Sequence, residues 1–202
     1  MLASALRRLG EVIIVAPASE ASAVGHALTL RRPLRLDRVG DRIYSVDGTP
    51  TDCVNIGIDE VLKGKPDIVV SGINKGLNIG DDVTYSGTLA GALEGALLGY
   101  QAMAISLQST RGEWDFGPAA SIAADLAATL LDRPLPNRTF LNVNVPQGAV
   151  KGIRVTVQAK RNYITKVDRR LDPRVWLHQP GARRRGARHH RRARPGGGGG
   201  KG

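Results

Sequence analysis

Cysteine is almost missing: Cys53 is the one thiol in 202 residues. A lone cysteine excludes an internal disulfide framework and any zinc cluster built from several thiolates, and it suits a reducing cytosol. No stretch approaches the ~20 consecutive apolar residues that a membrane-spanning helix requires. The opening MLASALRRLG carries arginines inside its apolar pattern and runs straight into a strand pattern, which argues against a secretory signal. The expectation is a cytoplasmic protein with no membrane span. A G-x-G-x-x-G motif after the first strand pattern is also absent, which removes the usual dinucleotide fingerprint.

Acidic residues are absent from positions 174 to 202, where nine of the 29 Lys and Arg fall. Residues 1 to 173 therefore hold 20 bases against 18 acids, and the net charge of +11 describes the tail rather than the body. The run GARRRGARHHRRARPGGGGGKG has no apolar periodicity and is expected to be disordered. Its arginines can pair with nucleic-acid phosphates without specificity. No aromatic residue lies beyond Trp176, so base stacking is unavailable there. The expected organisation is a domain over residues 1 to 165 and a divergent basic tail over 166 to 202.

Short β-branched runs alternate with Ala- and Leu-rich helical patterns, as in parallel sheets linked by crossover helices. Strands are expected at 11 to 17, 42 to 47, 66 to 72, 102 to 107, 139 to 146 and 152 to 158. Their continuously apolar centres fit strands covered on both faces. Helices are expected at 2 to 9, 50 to 62, 88 to 98 and 117 to 131. In GTPTDCV, Thr49 can cap, Pro50 fits the first helical position and Asp52 sits near the positive helix end. Gly87, Gly91, Gly95 and Gly99 are spaced four apart, hence along one helix face that can approach a sheet closely.

Ligands of open parallel sheets bind beyond the carboxyl ends of the strands. Three polar segments are placed there: ASEASAVGH, DGTPTD and SGINKGLNIGDDVTYSGT. Ser86, Gly87 and Thr88 open a helix, where unpaired N–H groups and the helix dipole favour an anion such as phosphate; Ser86 equally suits ordinary N-capping. Asn74, Asn78 and Ser22 offer neutral oxygens that hard cations accept alongside a carboxylate. The same asparagines and glycines also suit a turn that needs them for backbone reasons. His26, in AVGHAL, fits either a support or proton-donor role or a structural histidine bonded to backbone.

The blocks APASEASAVGHALTLRRPLRL, DGTPTDCV, PDIVVSGINKGLNIGDDVTYSGTLAGALEGALLG and LNVNVP, in that order between residues 2 and 165, resemble those of the SurE family of metal-dependent 5'/3'-nucleotidases. The resemblance implies a Rossmann-like three-layer α/β/α sandwich with a mostly parallel sheet. It implies hydrolysis of nucleoside monophosphates to nucleoside and phosphate, with a divalent cation, Mg²⁺ or Mn²⁺, and a homo-oligomer. The family's metal-binding serine and asparagine fall on Ser22 and Asn74. Its phosphate-side segment falls on Ser86, Gly87 and Thr88, with Asn78 close by. No catalytic residue is assigned.

Two departures accompany the resemblance: the opening strand is missing, and the likeness fades after about residue 165, where an aberrant basic tail follows. Family members open on a strand ending like TNDDG, whose adjacent aspartates bind the metal, whereas Met1 here falls inside the expected first helix. Asp81 and Asp82 belong to the later GDDVTYSGT block and are not expected to replace that pair. The strands at 11 to 17 and 66 to 72 are then expected to lack a shared neighbour, and the chain to lack metal chemistry. A non-catalytic nucleotide or phosphate binder, or nucleic-acid binding through the tail, are the alternatives.

Overall fold

The computed structural model describes residues 1–109 and 112–160, with the backbone of two further strands at 166–169 and 176–179. The chain divides into two units, 1–160 and 161–202.

In the first unit the expected runs form strands β1 (Ile14–Pro17), β3 (Ile43–Val46), β4 (Ile68–Lys75), β5 (Gln101–Leu107) and β6 (Leu141–Val145). An unforeseen strand, β2 (Leu36–Gly40), pairs antiparallel with β3, with an irregularity between Arg38 and Gly40. Its sequence, LDRVG, has no apolar alternation; pairing with β3, not local pattern, makes it a strand. The helices are α1 (Leu2–Leu6), α2 (Pro50–Ile56), α3 (Gly87–Leu97) and α4 (Gly117–Asp132). α2 runs on into a wider π turn, Gly57–Leu62, where Gly57 leaves room for Val15, whose Cγ2 would lie 3.0 Å from an added Cβ.

These strands form two three-stranded sheets, in the orders β1-β3-β2 and β4-β5-β6, with β1-β3, β4-β5 and β5-β6 all parallel. Among the described residues β1 and β4 each have one strand partner. Both strands expected to flank a common neighbour are therefore sheet edges, which expose a row of unpaired peptide groups.

β5 shows why the layers stack as they do. Met103, Ile105 and Leu107 point into a cluster with Ala119, Ala123 and Ala127 of α4, against which Leu2 and Leu6 of α1 also pack. Ala102 and Ala104 point the other way, into a cluster with Leu89, Ala92 and Ala96 of α3. Period-two alternation thus gives one strand a bulky face and a small one, and α3 presses close on the small one. A Cβ at Gly95 would lie 2.7 Å from Val69 Cβ, and one at Gly91 would lie 2.9 Å from Ser71 Oγ. Gly99 does not continue this row. It lies past the helix end at φ +91° with no neighbour within 4 Å, where it stops α3.

The segment 152–158, expected as a strand, forms no strand and has no strand partner among the described residues. Its alternate residues Ile153, Val155 and Val157 are exposed; the pattern suits a sheet, and no ladder receives it. In the second unit β7 (Lys166–Arg169) and β8 (Trp176–Gln179) pair antiparallel. These two strands fall inside the stretch expected as a divergent basic tail, 166–202. The Arg- and Gly-rich run itself, 181–202, lies outside the described residues.

Candidate functional site

Helix α2 has the start its sequence announces. The Thr49 hydroxyl accepts from Asp52 N at 3.1 Å, Thr49 N donates to Asp52 Oδ2 at 2.8 Å, and Pro50 takes the first turn. Asp52 also reaches outside its helix. Thr29 N donates to Oδ1 at 3.0 Å and the Thr29 hydroxyl to Oδ2 at 2.7 Å. Burial pushes the Asp52 pKa up, but the hydrogen bonds from Thr29 and Thr49 outweigh it and hold the carboxyl below its ordinary value. Next to it, burial and then the Asp52 charge push the Cys53 thiol up to about 12, so it stays protonated and is no nucleophile.

The SGINKGLNIGDD stretch is bent by design of its backbone. Between Ser71 and Asn74 the register of β4 against β5 slips by one residue. Gly72 occupies the slip at φ +131°, and a Cβ there would come within 2.4 Å of the Ile105 carbonyl oxygen; this place admits glycine alone. Past the slip, Asn74 turns its amide to its own loop, donating from Nδ2 to Gly76 O at 2.9 Å. Asn74 Oδ1 accepts from the Thr88 hydroxyl at 3.3 Å. The expected metal ligand and the expected phosphate donor are therefore in direct contact.

Asn78 is placed otherwise. It is 6 % exposed, its Nδ2 donates to Ser106 Oγ at 2.7 Å, and its backbone N donates to Asn144 Oδ1 at 2.8 Å. Its carbonyl accepts from Asn142 and Asn144, each at 3.0 Å. Asn78 is the peg that fixes this loop to β5 and β6. The asparagines of LNVNVP, for which no role was expected, hold it. Their signal was visible as two polar residues inside an otherwise apolar strand, but neither partner is near in sequence.

Ser86 caps α3, its hydroxyl accepting from Leu89 N at 3.2 Å. Gly87 is buried, and its bare Cα faces two other segments at once: an added Cβ would meet Pro50 Cγ at 3.0 Å, Ala21 O at 3.1 Å and Val24 Cγ2 at 3.3 Å. The three polar segments picked out in the sequence meet at this glycine. Ser22, on the loop that rests there, is bonded to Glu20 Oε1 at 3.1 Å. Beside α3 lies an apolar cavity of about 250 Å³ lined by His26, Val83, Ser86, Leu89, Leu93 and Phe140. Its lining offers little to a phosphate, in contrast to the Thr88 side.

His26 is bonded to a side chain rather than to backbone. Its Nε2 donates to Glu94 Oε2 at 2.7 Å, and Asn55 Nδ2 donates to Glu94 Oε1 at 2.7 Å. Asp81 and Asp82 lie in a 3-10 turn, Gly80–Thr84. Among the described residues no group of three His, Cys, Asp or Glu could hold a metal ion. Ser22 and Asn74 supply neutral oxygens and Glu20 one carboxylate on an exposed loop. A tightly held hard cation asks for more anionic oxygen than that, so the described donors do not by themselves fit a resident divalent ion.

A parallel α/β/α domain with an open helix end at the carboxyl edge of its strands belongs to the Rossmann-like class that binds ligands along that edge. Within that class the match is close. The family model described as Survival protein SurE matches residues 1–165. A 5'-nucleotidase SurE of Geotalea daltonii is 53% identical over 176 residues, covering 86% of this chain and 71% of that one. The 5'-nucleotidase SurE of Pelobacter propionicus is 54% identical over 176 residues, with the same two coverages, 86% and 71%. The crystal structure of the SurE protein from Aquifex aeolicus superposes with a TM-score of 0.78 at 40% identity, covering 89% of this chain and 75% of that one. The chain belongs to the SurE family.

Proposed function

We propose that this chain is a nucleotidase, a phosphomonoesterase that releases phosphate from nucleoside 5'- and 3'-monophosphates. The names of the relatives support the class, and one observation carries it for this chain. The Thr88 hydroxyl at the amino end of α3 touches Asn74 Oδ1 at 3.3 Å, so an anion held by the helix end lies against the β4 loop.

Ser86, Gly87 and Thr88 bind and orient the phosphoryl group. The N–H groups of the first turn and the helix dipole take up charge on its oxygens. Asn78 acts at one remove by keeping the β4 loop in place. The family's activity draws on a divalent cation, Mg²⁺ or Mn²⁺, for which Ser22 and Asn74 offer neutral oxygens. Such an ion would supply Lewis-acid polarisation and water activation, but Ser22 and Asn74 alone lack the anionic oxygen to retain it. The substrate is a nucleoside monophosphate, the lone cysteine suits a cytoplasmic setting, and the family likeness points to a homo-oligomer.

A second reading is favoured by the thin anionic donor set around Ser22 and Asn74: a domain that binds nucleotide without cleaving it. One experiment separates the two. Purified chain is given AMP with Mn²⁺ or Mg²⁺, phosphate release is followed, and AMP binding is measured by calorimetry. Release that falls at least about tenfold in Thr88→Ala supports the enzyme. Binding without release supports the second reading, and neither binding nor release removes both.

A further inference from the structure

Glu94 stands out among the charged groups that the proposed chemistry leaves unused. It sits two turns into α3, 8 % exposed, with both carboxylate oxygens taken by other elements: Oε1 by Asn55 of α2 and Oε2 by His26 of the loop after β1, each at 2.7 Å. Buried carboxylates persist where their hydrogen bonds are made, because an unpaired one is costly. Here the partners come from two segments, α2 and the loop after β1, that otherwise meet α3 only by packing near its amino end.

The loop they fix carries Ser22. Its far end is tied three more times: Ala27 O accepts from the Thr49 hydroxyl at 2.7 Å, and Thr29 donates twice to Asp52 at 3.0 and 2.7 Å. Its middle lies on the residues of the helix end, with Gly25 N donating to Tyr85 O at 3.0 Å and the Ala21 carbonyl and Val24 resting on Gly87. Ala23 and Gly25 both have positive φ, 56° and 57°, so the path between Ser22 and His26 is an irregular one. Contacts outside the loop must select it.

We propose that Glu94 is a positioning residue, clamping residues 18–29 through His26 so that Ser22 keeps a fixed place beside the Ser86–Thr88 helix end. The clamp rests on the nucleotidase reading only for what it positions; the tie itself is independent of it. Glu94 touches no substrate. It acts by holding one wall of the site against another.

The test compares the full chain with Glu94→Gln, Glu94→Ala and His26→Ala by hydrogen exchange and by AMP calorimetry. Expected is exchange about tenfold or more faster at amides 19–29 in Glu94→Ala and His26→Ala, with β5, residues 101–107, unchanged. AMP affinity should fall about tenfold in the same two variants, and Glu94→Gln, which keeps one acceptor, should recover part of both effects. His26→Ala, cut at a half-exposed side chain, keeps the test open if Glu94→Ala does not fold. Unchanged exchange at 19–29 would overturn the clamp, as would a uniform rise that includes β5, or a loosened loop with unaltered AMP affinity. If the unaltered chain binds no AMP, the nucleotidase reading fails, and the exchange comparison still decides the clamp.

Discussion

At Asp52 one carboxylate does two jobs: it completes the capping box of α2 and receives Thr29 from the preceding loop. Its folded pKa is depressed, so its contribution to stability is present above the unfolded value, near 3.8, and is lost as pH falls through the folded one. Asp52→Asn should therefore cost about 1–3 kcal/mol at pH 7, and the gap from the unaltered protein should narrow in urea titrations below pH 3.8. Cys53 gives a second check at the same scale. With its pKa pushed to about 12 inside the fold, it should resist a thiol reagent at pH 8 and react at once in denaturant. Rapid labelling of native protein would contradict its burial.

The glycines of α3 act at the scale of elements. Helix propensity alone favours Ala over Gly by about 1 kcal/mol, so Gly95→Ala would stabilise an isolated helix. In the protein the new methyl would meet Val69 Cβ at 2.7 Å, and overpacking of that kind costs roughly 1–3 kcal/mol. The expected net effect is destabilisation, with partial recovery in the double variant Gly95→Ala, Val69→Ala, measured by denaturant titration. Asn144→Ala tests the same face of the sheet further along, where β6 holds the β4 loop. It removes a donor and an acceptor from the backbone of Asn78, and should cost about 2 kcal/mol while raising exchange in residues 76–79.

For the molecule as a whole, strand partners set the order of opening. β5 is flanked by β4 and β6 and is buried nearly throughout, whereas β1 and β4 each have one strand partner among the described residues. Native-state exchange should find the amides of β5 the slowest in residues 1–160 and those of β1 much faster. Protection of β1 equal to that of β5 would show that its edge is covered in solution.

Much of this was legible beforehand because it is local. The cap at Thr49, Pro50 and Asp52 depends on four consecutive residues, and four helices and five strands follow from periodicity, with ends shifted by a few residues. The glycine row was readable too, since a spacing of four marks one face of any helix. The family blocks placed Ser22, Asn74 and Ser86–Thr88 at strand and helix ends, where the fold puts them. What stayed hidden was non-local. β2 exists through its pairing with β3, and 152–158 has a strand pattern without a ladder. Asn78 is a buried peg because Ser106, Asn142 and Asn144 converge on it, and His26 meets Glu94, 68 residues away.

The sequence by itself determined the α/β class, the family and the residue types offered at the carboxyl edge, because period, capping and block order are properties of neighbouring positions. Only the tertiary structure decided which of those residues touch. Thr88 reaches Asn74, and Gly87 seats the Ser22 loop, because closely packed layers bring distant segments within hydrogen-bond range, and no local pattern encodes that distance.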